Sequence, residues 1–207
     1  LAAIGRVPNT DADWFRSSGL KLDERGYVTV DGYGRTNLDG VWALGDITPG
    51  HALAHRAFEQ GITIAEKIAG ADPKPVLDDT VPQVVFSFPE AASVGLTLDQ
   101  AKAREDVVEP KETAYPMLSN ARMLMSGEGG SMTVVSGAFA NNPDMQVVLG
   151  VHIVSPIASD LIAEAEQLVG NRVPLADAAR LIHPHPTFSE TLGEALLKAD
   201  GRPLHTR

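Results

Sequence analysis

Met132-Thr133-Val134-Val135-Ser136-Gly137-Ala138-Phe139, then Ala140-Asn141-Asn142-Pro143-Asp144, then Met145-Gln146-Val147-Val148-Leu149-Gly150-Val151-His152-Ile153-Val154, is the stretch whose reading decides the fold. Val, Ile and Phe suit a pleated, half-buried surface, whereas Asn, Pro and Asp interrupt one. The reading is two antiparallel strands, 132–139 and 145–154, joined by a loop of about five residues. Residues 157–169 have a helical pattern. Apolar residues at 157, 158, 161, 162, 165, 168 and 169 recur at the helical period, and Gly170-Asn171 stops the run. Pro174 opens a shorter helix over 175–182. Strands in succession and then helices predict an α+β domain built on an antiparallel sheet.

The chain upstream extends that picture. Val81-Pro82-Gln83-Val84-Val85-Phe86-Ser87-Phe88 reads as a strand whose proline suits an edge or a strand start. Thr97-Leu98-Asp99-Gln100 has the pattern of a capping box, so a helix should begin near Leu98. Asp72-Pro73-Lys74-Pro75 breaks structure and divides the chain into a first part, 1–75, and a second, 80–207. In the first part Tyr27–Val30 and Val41–Leu44 read as short strands. Ala54, Ala57, Phe58, Ile62, Ala65, Ile68 and Ala69 form one stripe of a helix over 53–69, with Gly70 as its stop. Leu1-Ala2-Ala3-Ile4-Gly5 reads as an apolar strand entered in mid-run without an initiator methionine, so a piece of a longer protein is expected.

Composition excludes several classes. With 207 residues, 43% of them hydrophobic, the chain can bury a core. Its net charge of −10, with no basic run, argues against nucleic acid and anionic membranes as partners. No apolar run reaches the ~18 residues of a membrane span. No cysteine is present, so neither a disulfide scaffold nor thiol chemistry lies within these residues. A cysteine-free chain of this kind fits a reducing cytoplasm.

Chemistry concentrates at His183-Pro184-His185-Pro186-Thr187-Phe188-Ser189-Glu190. A histidine five residues ahead of a carboxylate, at the start of a helix, can make a general base: His185 takes the proton and Glu190 fixes the ring. Two other readings stand beside it. Thr187-Phe188-Ser189-Glu190 is itself a capping-box pattern, in which Glu190 binds the Thr187 N–H. His183, His185 and Glu190 could also offer three ligands to a metal, a poor set against the usual sites. Gly45-Asp46 ends an apolar strand, where open sheets bind ligands, but a plain turn uses the same pair. The helix start near Ala52-Leu53-Ala54-His55 would offer backbone N–H groups to negative charge. Ala54 and Ala57 would equally allow close helix packing.

Three stretches together resemble the FAD-dependent pyridine-nucleotide disulfide oxidoreductases. Ala3–Thr10 is similar to the end of that family's nicotinamide-binding domain, with Gly5 and Arg6 near the nucleotide. Thr36-Asn37, Val41–Asp46 and Leu53–Ala57 are similar to its second flavin-contacting segment. Val81–Glu90, Val94–Thr97 and His183–Glu190 are similar to its C-terminal interface domain. The resemblance implies the tail of a Rossmann-like α/β FAD- and NAD-binding region over 1–75 and an α+β dimerisation domain over 80–207. It implies FAD contacts at Gly45, Asp46, Ala52, Leu53, Ala54 and His55, and catalytic roles for His185 and Glu190. Within the family the Leu20–Asp46 stretch, the Pro116–Gly127 stretch and the His-Pro-Thr-x-Ser-Glu ending match the members that oxidise dihydrolipoamide.

On that resemblance the substrate is dihydrolipoamide or a lipoyl domain, and the setting a 2-oxo acid dehydrogenase complex and cell redox homeostasis. His185 would serve the redox disulfide of the other subunit in a homodimer. A cis peptide before Pro186 is also implied. Glutathione- or mycothione-reducing members share a similar His-Pro-Thr ending and remain alternatives. Mercury-reducing members end in a cysteine pair, whereas this chain ends Pro203-Leu204-His205-Thr206-Arg207. Taken alone the chain lacks the glycine-rich flavin fingerprint and the cysteine pair. A dimeric module that does not retain FAD is therefore the reading for it in isolation.

Overall fold

The computed structural model describes residues 1–206. The chain forms two compact units, Leu1–Asp78 and Asp79–Arg207.

In the first unit, α1 (Asp13–Ser17) and α2 (Ala54–Ile68) flank irregular chain that includes a 3₁₀ turn at Gly45–Ile47. Phe15, Val28 and Ala43 make a small core, with Leu20, Val30 and Ile47 against it. The two short strands expected here reduce to isolated bridges, Leu22 to Val28 and Arg35 to Trp42. Each has one paired residue to hold it, because turns at Asp23–Gly26 and Leu38–Val41 bring the chain back at once. The first eight residues form no strand, and Leu1, Ile4 and Val7 are exposed. A strand exists only through ladder partners, and nothing among the described residues of the unit pairs with this segment. The helix expected over 53–69 is present as α2, with its sides reversed. The stripe containing Phe58, Ile62 and Ile68 is exposed, while Arg56, Thr63 and Ile64 are buried. Arg56 is held by Asp78 (Nε to Oδ1, 2.7 Å) and by the Pro49 carbonyl and Thr48 hydroxyl, so its charge is buried with partners.

The second unit is an α+β fold. Its strands are β1 (Gln83–Val85), β2 (Glu90–Gly95), β3 (Val107–Pro116), β4 (Ser131–Phe139) and β5 (Asn142–Ser155). They form one antiparallel sheet in the order β1-β2-β5-β4-β3. The β4–β5 hairpin lies at its centre, as the sequence pattern demands. The connection is tighter than expected: Phe139 pairs with Asn142, leaving only Ala140 and Asn141 between the strands. Register shifts after Gly137, and such an irregularity lets Pro143 sit in a strand without a missing ladder bond.

Side chains alternate across the sheet. Met132, Val134, Val151 and Ile153 face one side, where α5 (Ala158–Gly170), α6 (Leu175–Ala178) and α7 (Glu190–Ala199) cover them through Leu161, Ile162, Ala165, Leu168, Leu192 and Leu196. Val135, Val147 and Leu149 face the other, against Leu96, Ala101 and Val107. There α3 (Leu98–Ala103) carries both halves of its capping box: Thr97 Oγ1 accepts the Gln100 N–H and Gln100 Oε1 accepts the Thr97 N–H. A further helix, α4 (Ala121–Ser126), precedes β4. The helix expected over 175–182 stops at Ala178, and the chain runs on irregularly to His183-Pro184. A residue before proline is pushed out of helical conformation, so the helix has no way to continue through His183. Among the described residues no helix is long and apolar enough to cross a membrane.

Candidate active site

The His185 loop enters α7. His185 Nδ1 lies 2.8 Å from Glu190 Oε1. The other carboxylate oxygen, Oε2, accepts the Thr187 backbone N–H at 2.7 Å. The capping contact and the imidazole contact therefore coexist on one side chain, one oxygen each. The reciprocal half of a capping box is replaced: the Thr187 hydroxyl donates back to the Pro184 carbonyl at 2.6 Å. The His185–Pro186 peptide is cis.

Charge is set by these contacts. Burial pushes the Glu190 carboxyl up. The Thr187 N–H, the His185 ring and the positive fields of His185 and His183 outweigh it, and the net shift is below the ordinary carboxylate value. Glu190 is thus an anion at neutral pH and can only accept hydrogen bonds. Nδ1 of His185 must carry the hydrogen, which leaves Nε2 as the basic nitrogen. The His185 side chain is 70% exposed and that of Glu190 20%, so the ring reaches outward from a partly buried anchor.

Two tethers not visible in the sequence hold this loop. Asn120, buried, caps α4 by accepting the N–H groups of Arg122 and Met123 with Oδ1. Its Nδ2 donates to the Thr187 carbonyl at 3.1 Å, across 67 residues of chain. Arg122, in the first turn of α4, stacks over the Phe188 ring at 5.4 Å. On the other flank His183 Nε2 lies 2.8 Å from Glu164 Oε1 on α5. His183 and His185 thus bind different carboxylates and do not converge as ligands. A third pair, His205 Nδ1 with Glu194 Oε1 at 2.7 Å, lies one helical turn beyond Glu190. Local spacing signals only the His185–Glu190 pair. Beneath α7, burial pushes the Tyr115 hydroxyl up to about 12, with Glu194 and Glu190 adding to it, so this buried phenol stays neutral.

In the first unit Arg6 Nη2 lies 3.8 Å from Asp46 Oδ2, which brings two of the expected cofactor residues together. Gly45 takes φ +72°, a conformation that favours glycine, and its N–H donates to Gln60 Oε1 of α2 at 2.9 Å. Gly5 lies in exposed chain outside regular structure, with φ +150°. Leu53 is the N-cap of α2, Ala54 and His55 form its first turn, and Ala52 precedes it. Leu53 itself has no capping side chain. The donor set fits a flavin: the exposed Asp46 carboxylate could hold hydroxyls, and the start of α2 could turn amides toward negative charge.

The sequence profile of the pyridine nucleotide-disulphide oxidoreductase dimerisation domain matches residues 81–196, more than half of the chain. The chain belongs to the pyridine nucleotide-disulphide oxidoreductases. A second profile, that of the pyridine nucleotide-disulphide oxidoreductases, matches residues 1–61. Among relatives, the dihydrolipoyl dehydrogenase of Cupriavidus necator is 41% identical over 207 residues, 99% of this chain and 42% of that protein. That of Geobacillus stearothermophilus is 39% identical, over 99% and 42%. Among solved structures, LpdA from Mycobacterium tuberculosis superposes with a TM-score of 0.82 at 31% identity, covering 93% of this chain and 41% of that one. The flavoprotein disulfide reductase RclA from Escherichia coli shares the fold, with a TM-score of 0.79 at 23% identity, covering 94% of this chain and 43% of that one. This oxidoreductase chain spans about two-fifths of the length of the relatives it matches.

Proposed function

We propose that the chain is part of a flavin-dependent dihydrolipoamide dehydrogenase, in which it supplies the base that activates the substrate thiol and the surface that joins two subunits. The single observation that carries this reading is the His185–Glu190 pair. An ionised carboxylate fixes Nδ1, and the ring is exposed with Nε2 as the basic nitrogen. Nε2 takes the proton from a thiol of dihydrolipoamide, and the thiolate left behind is the nucleophile of thiol–disulfide exchange. Glu190 stabilises the imidazolium that forms. The chain has no cysteine, so the disulfide is supplied from outside these residues. Taken alone, the chain is a dimeric module without turnover.

FAD and NAD, when bound, supply the electron transfer that ends in reduced nicotinamide. Residues 1–75 form the end of the nicotinamide-binding domain and the second flavin segment, with Gly45, Asp46 and the Ala52–His55 helix start toward FAD and Gly5 and Arg6 toward the nucleotide. Residues 80–207 form the interface. The exposed apolar residues Phe86, Phe88 and Ile182 support a two-fold contact that sets His185 against the partner's disulfide. The relatives' names support lipoyl substrates; a place in a 2-oxo acid dehydrogenase complex in the cytoplasm is part of the same proposal.

The test is oxidation of dihydrolipoamide by NAD in the full-length, flavin-loaded protein, wild type against His185→Gln. The expected result is a loss of about 10²-fold or more, the size of a general-base contribution. Unchanged turnover would make the loop a structural cap. No wild-type turnover with dihydrolipoamide, but reduction of glutathione or mycothione disulfide, would move the enzyme to a sister reductase.

A further inference from the structure

His183 stands two residues before the proposed base, yet its ring faces the opposite way. Its side chain is only 10% exposed, against 70% for His185. Nε2 meets Glu164 Oε1 of α5 at 2.8 Å. A carboxylate oxygen is an acceptor, so Nε2 carries hydrogen.

The facing wall is α7. A Cβ built on Gly193 would lie 2.5 Å from His183 Nδ1 and 2.8 Å from Cε1. Gly193 is in the interior of α7, where glycine is disfavoured and no positive φ calls for it. The ring occupies the space a side chain would take. The charged groups facing His183 are Glu164 from α5 and Glu190 from α7. The Glu164 bond is the largest influence on its proton affinity. Burial opposes it, and the net direction is upward. In return, His183 is one of the positive neighbours that keep Glu190 ionised.

We propose that His183 is a positioning residue for the His185–Glu190 pair, a partly buried imidazole clamped between Glu164 and α7 that fixes the entry to the catalytic loop. The inference rests on the proposed role of His185. Glu164 holds His183 and Glu190 holds His185, so each ring is tied to a carboxylate of a flanking helix, α5 or α7. Pro184 and Pro186 restrict the backbone between the two rings, so a shift of His183 is passed to His185 rather than absorbed. His183 touches no reacting atom. Its effect should appear in the step that needs the base and in no other.

The experiment uses the full-length, flavin-loaded enzyme with His183→Gln, Glu164→Gln and His185→Gln in parallel. Three quantities are read: kcat and KM for dihydrolipoamide oxidation, NADH-to-dye activity, which bypasses the thiol base, and the melting temperature. For His183→Gln we expect kcat to fall about tenfold or more, the scale of a small misplacement of a reacting group. KM and dye activity should stay within about twofold, because uniform binding and the flavin are untouched. Glu164→Gln sits on a more exposed partner that will fold, and should move kcat in the same direction by less. The inference is overturned if kcat in both variants stays within about twofold of wild type, or if dye activity falls in parallel with kcat. Loss of rate in His185→Gln without loss in His183→Gln removes this inference alone. Full rate in His185→Gln removes the base assignment on which it stands.

Discussion

Replacing Glu190 by Gln should inactivate the enzyme by setting the wrong tautomer, and by more than replacing it with Ala. The carboxylate accepts two hydrogen bonds, from His185 Nδ1 at 2.8 Å and from the Thr187 N–H at 2.7 Å. An amide has one acceptor oxygen and one donor NH₂. The Thr187 N–H can only donate, and leaving it facing the NH₂ would cost about 1–3 kcal/mol. The amide oxygen therefore goes to Thr187 and its NH₂ to Nδ1. Nδ1 must then be bare, the proton moves to Nε2, and the nitrogen meant to accept the thiol proton already holds one. A mis-set tautomer in a hydrogen-bonded catalytic pair lowers kcat by about 10⁴, and the whole general-base contribution is about 10²–10⁴. About 10³-fold in kcat/KM, or about 4 kcal/mol of transition-state stabilisation, is the expectation for Glu190→Gln.

Stability should hardly change. Loss of an anion from the first turn of α7 removes about 0.3–1 kcal/mol. That is a few degrees in melting temperature for a chain of this size. In Glu190→Ala neither tautomer is imposed, and a fraction of the rings still presents a bare Nε2. Its rate should exceed that of Glu190→Gln. The assay is steady-state dihydrolipoamide oxidation beside NADH-to-dye activity as a control. An alanine variant no faster than the glutamine variant would refute the tautomer reasoning and leave Glu190 acting through charge alone.

The tethers and the titrating groups give two further outcomes. Asn120→Ala removes the α4 cap together with the bond to the Thr187 carbonyl, and should lower stability by about 1–2 kcal/mol in urea titration. Asn120→Asp keeps the cap and loses the Nδ2 donor, so it should slow dihydrolipoamide oxidation with little change in the denaturation midpoint. The second outcome concerns pH. The His183 ring binds its proton more tightly when folded than at its ordinary value of 6.5. Its contribution to stability is complete below pH 6.5 and is lost as pH rises through the folded value, because there the folded state holds a proton the unfolded state has released. Glu190 has the opposite sign: its contribution is present above its ordinary 4.5 and lost as pH falls through the depressed folded value. Denaturation midpoints measured across pH should show both slopes, and His183→Gln should flatten the alkaline one.

The features legible in the sequence are those that local chemistry determines. The capping box at Thr97–Gln100 needs only residues three apart, and it forms with both bonds. The β4–β5 hairpin and α5 are set by periodicity, and they lie where the pattern puts them, apart from the tighter turn. The strands that escaped notice owe their form to neighbours. β2 reads Glu-Ala-Ala-Ser-Val-Gly, a weak strand sequence that is ordered by pairing with β5 along its whole length. β3 carries Glu109, Pro110, Lys111 and Glu112 at a register shift on the sheet edge, where charge and proline discourage further pairing.

The site divides in the same way. His185 and Glu190 are five residues apart and could be paired from the sequence. Glu164 is 19 residues from His183, and Asn120 is 67 from Thr187, with no local pattern to link them. A base fixed only by Glu190 would ride on a mobile loop. Here the loop is bound at its entry to α5, at its middle to α4 and at its end to its own helix. Precision at His185 Nε2 therefore depends on side chains drawn from three elements, and the substitutions most informative about this site lie outside the histidine motif.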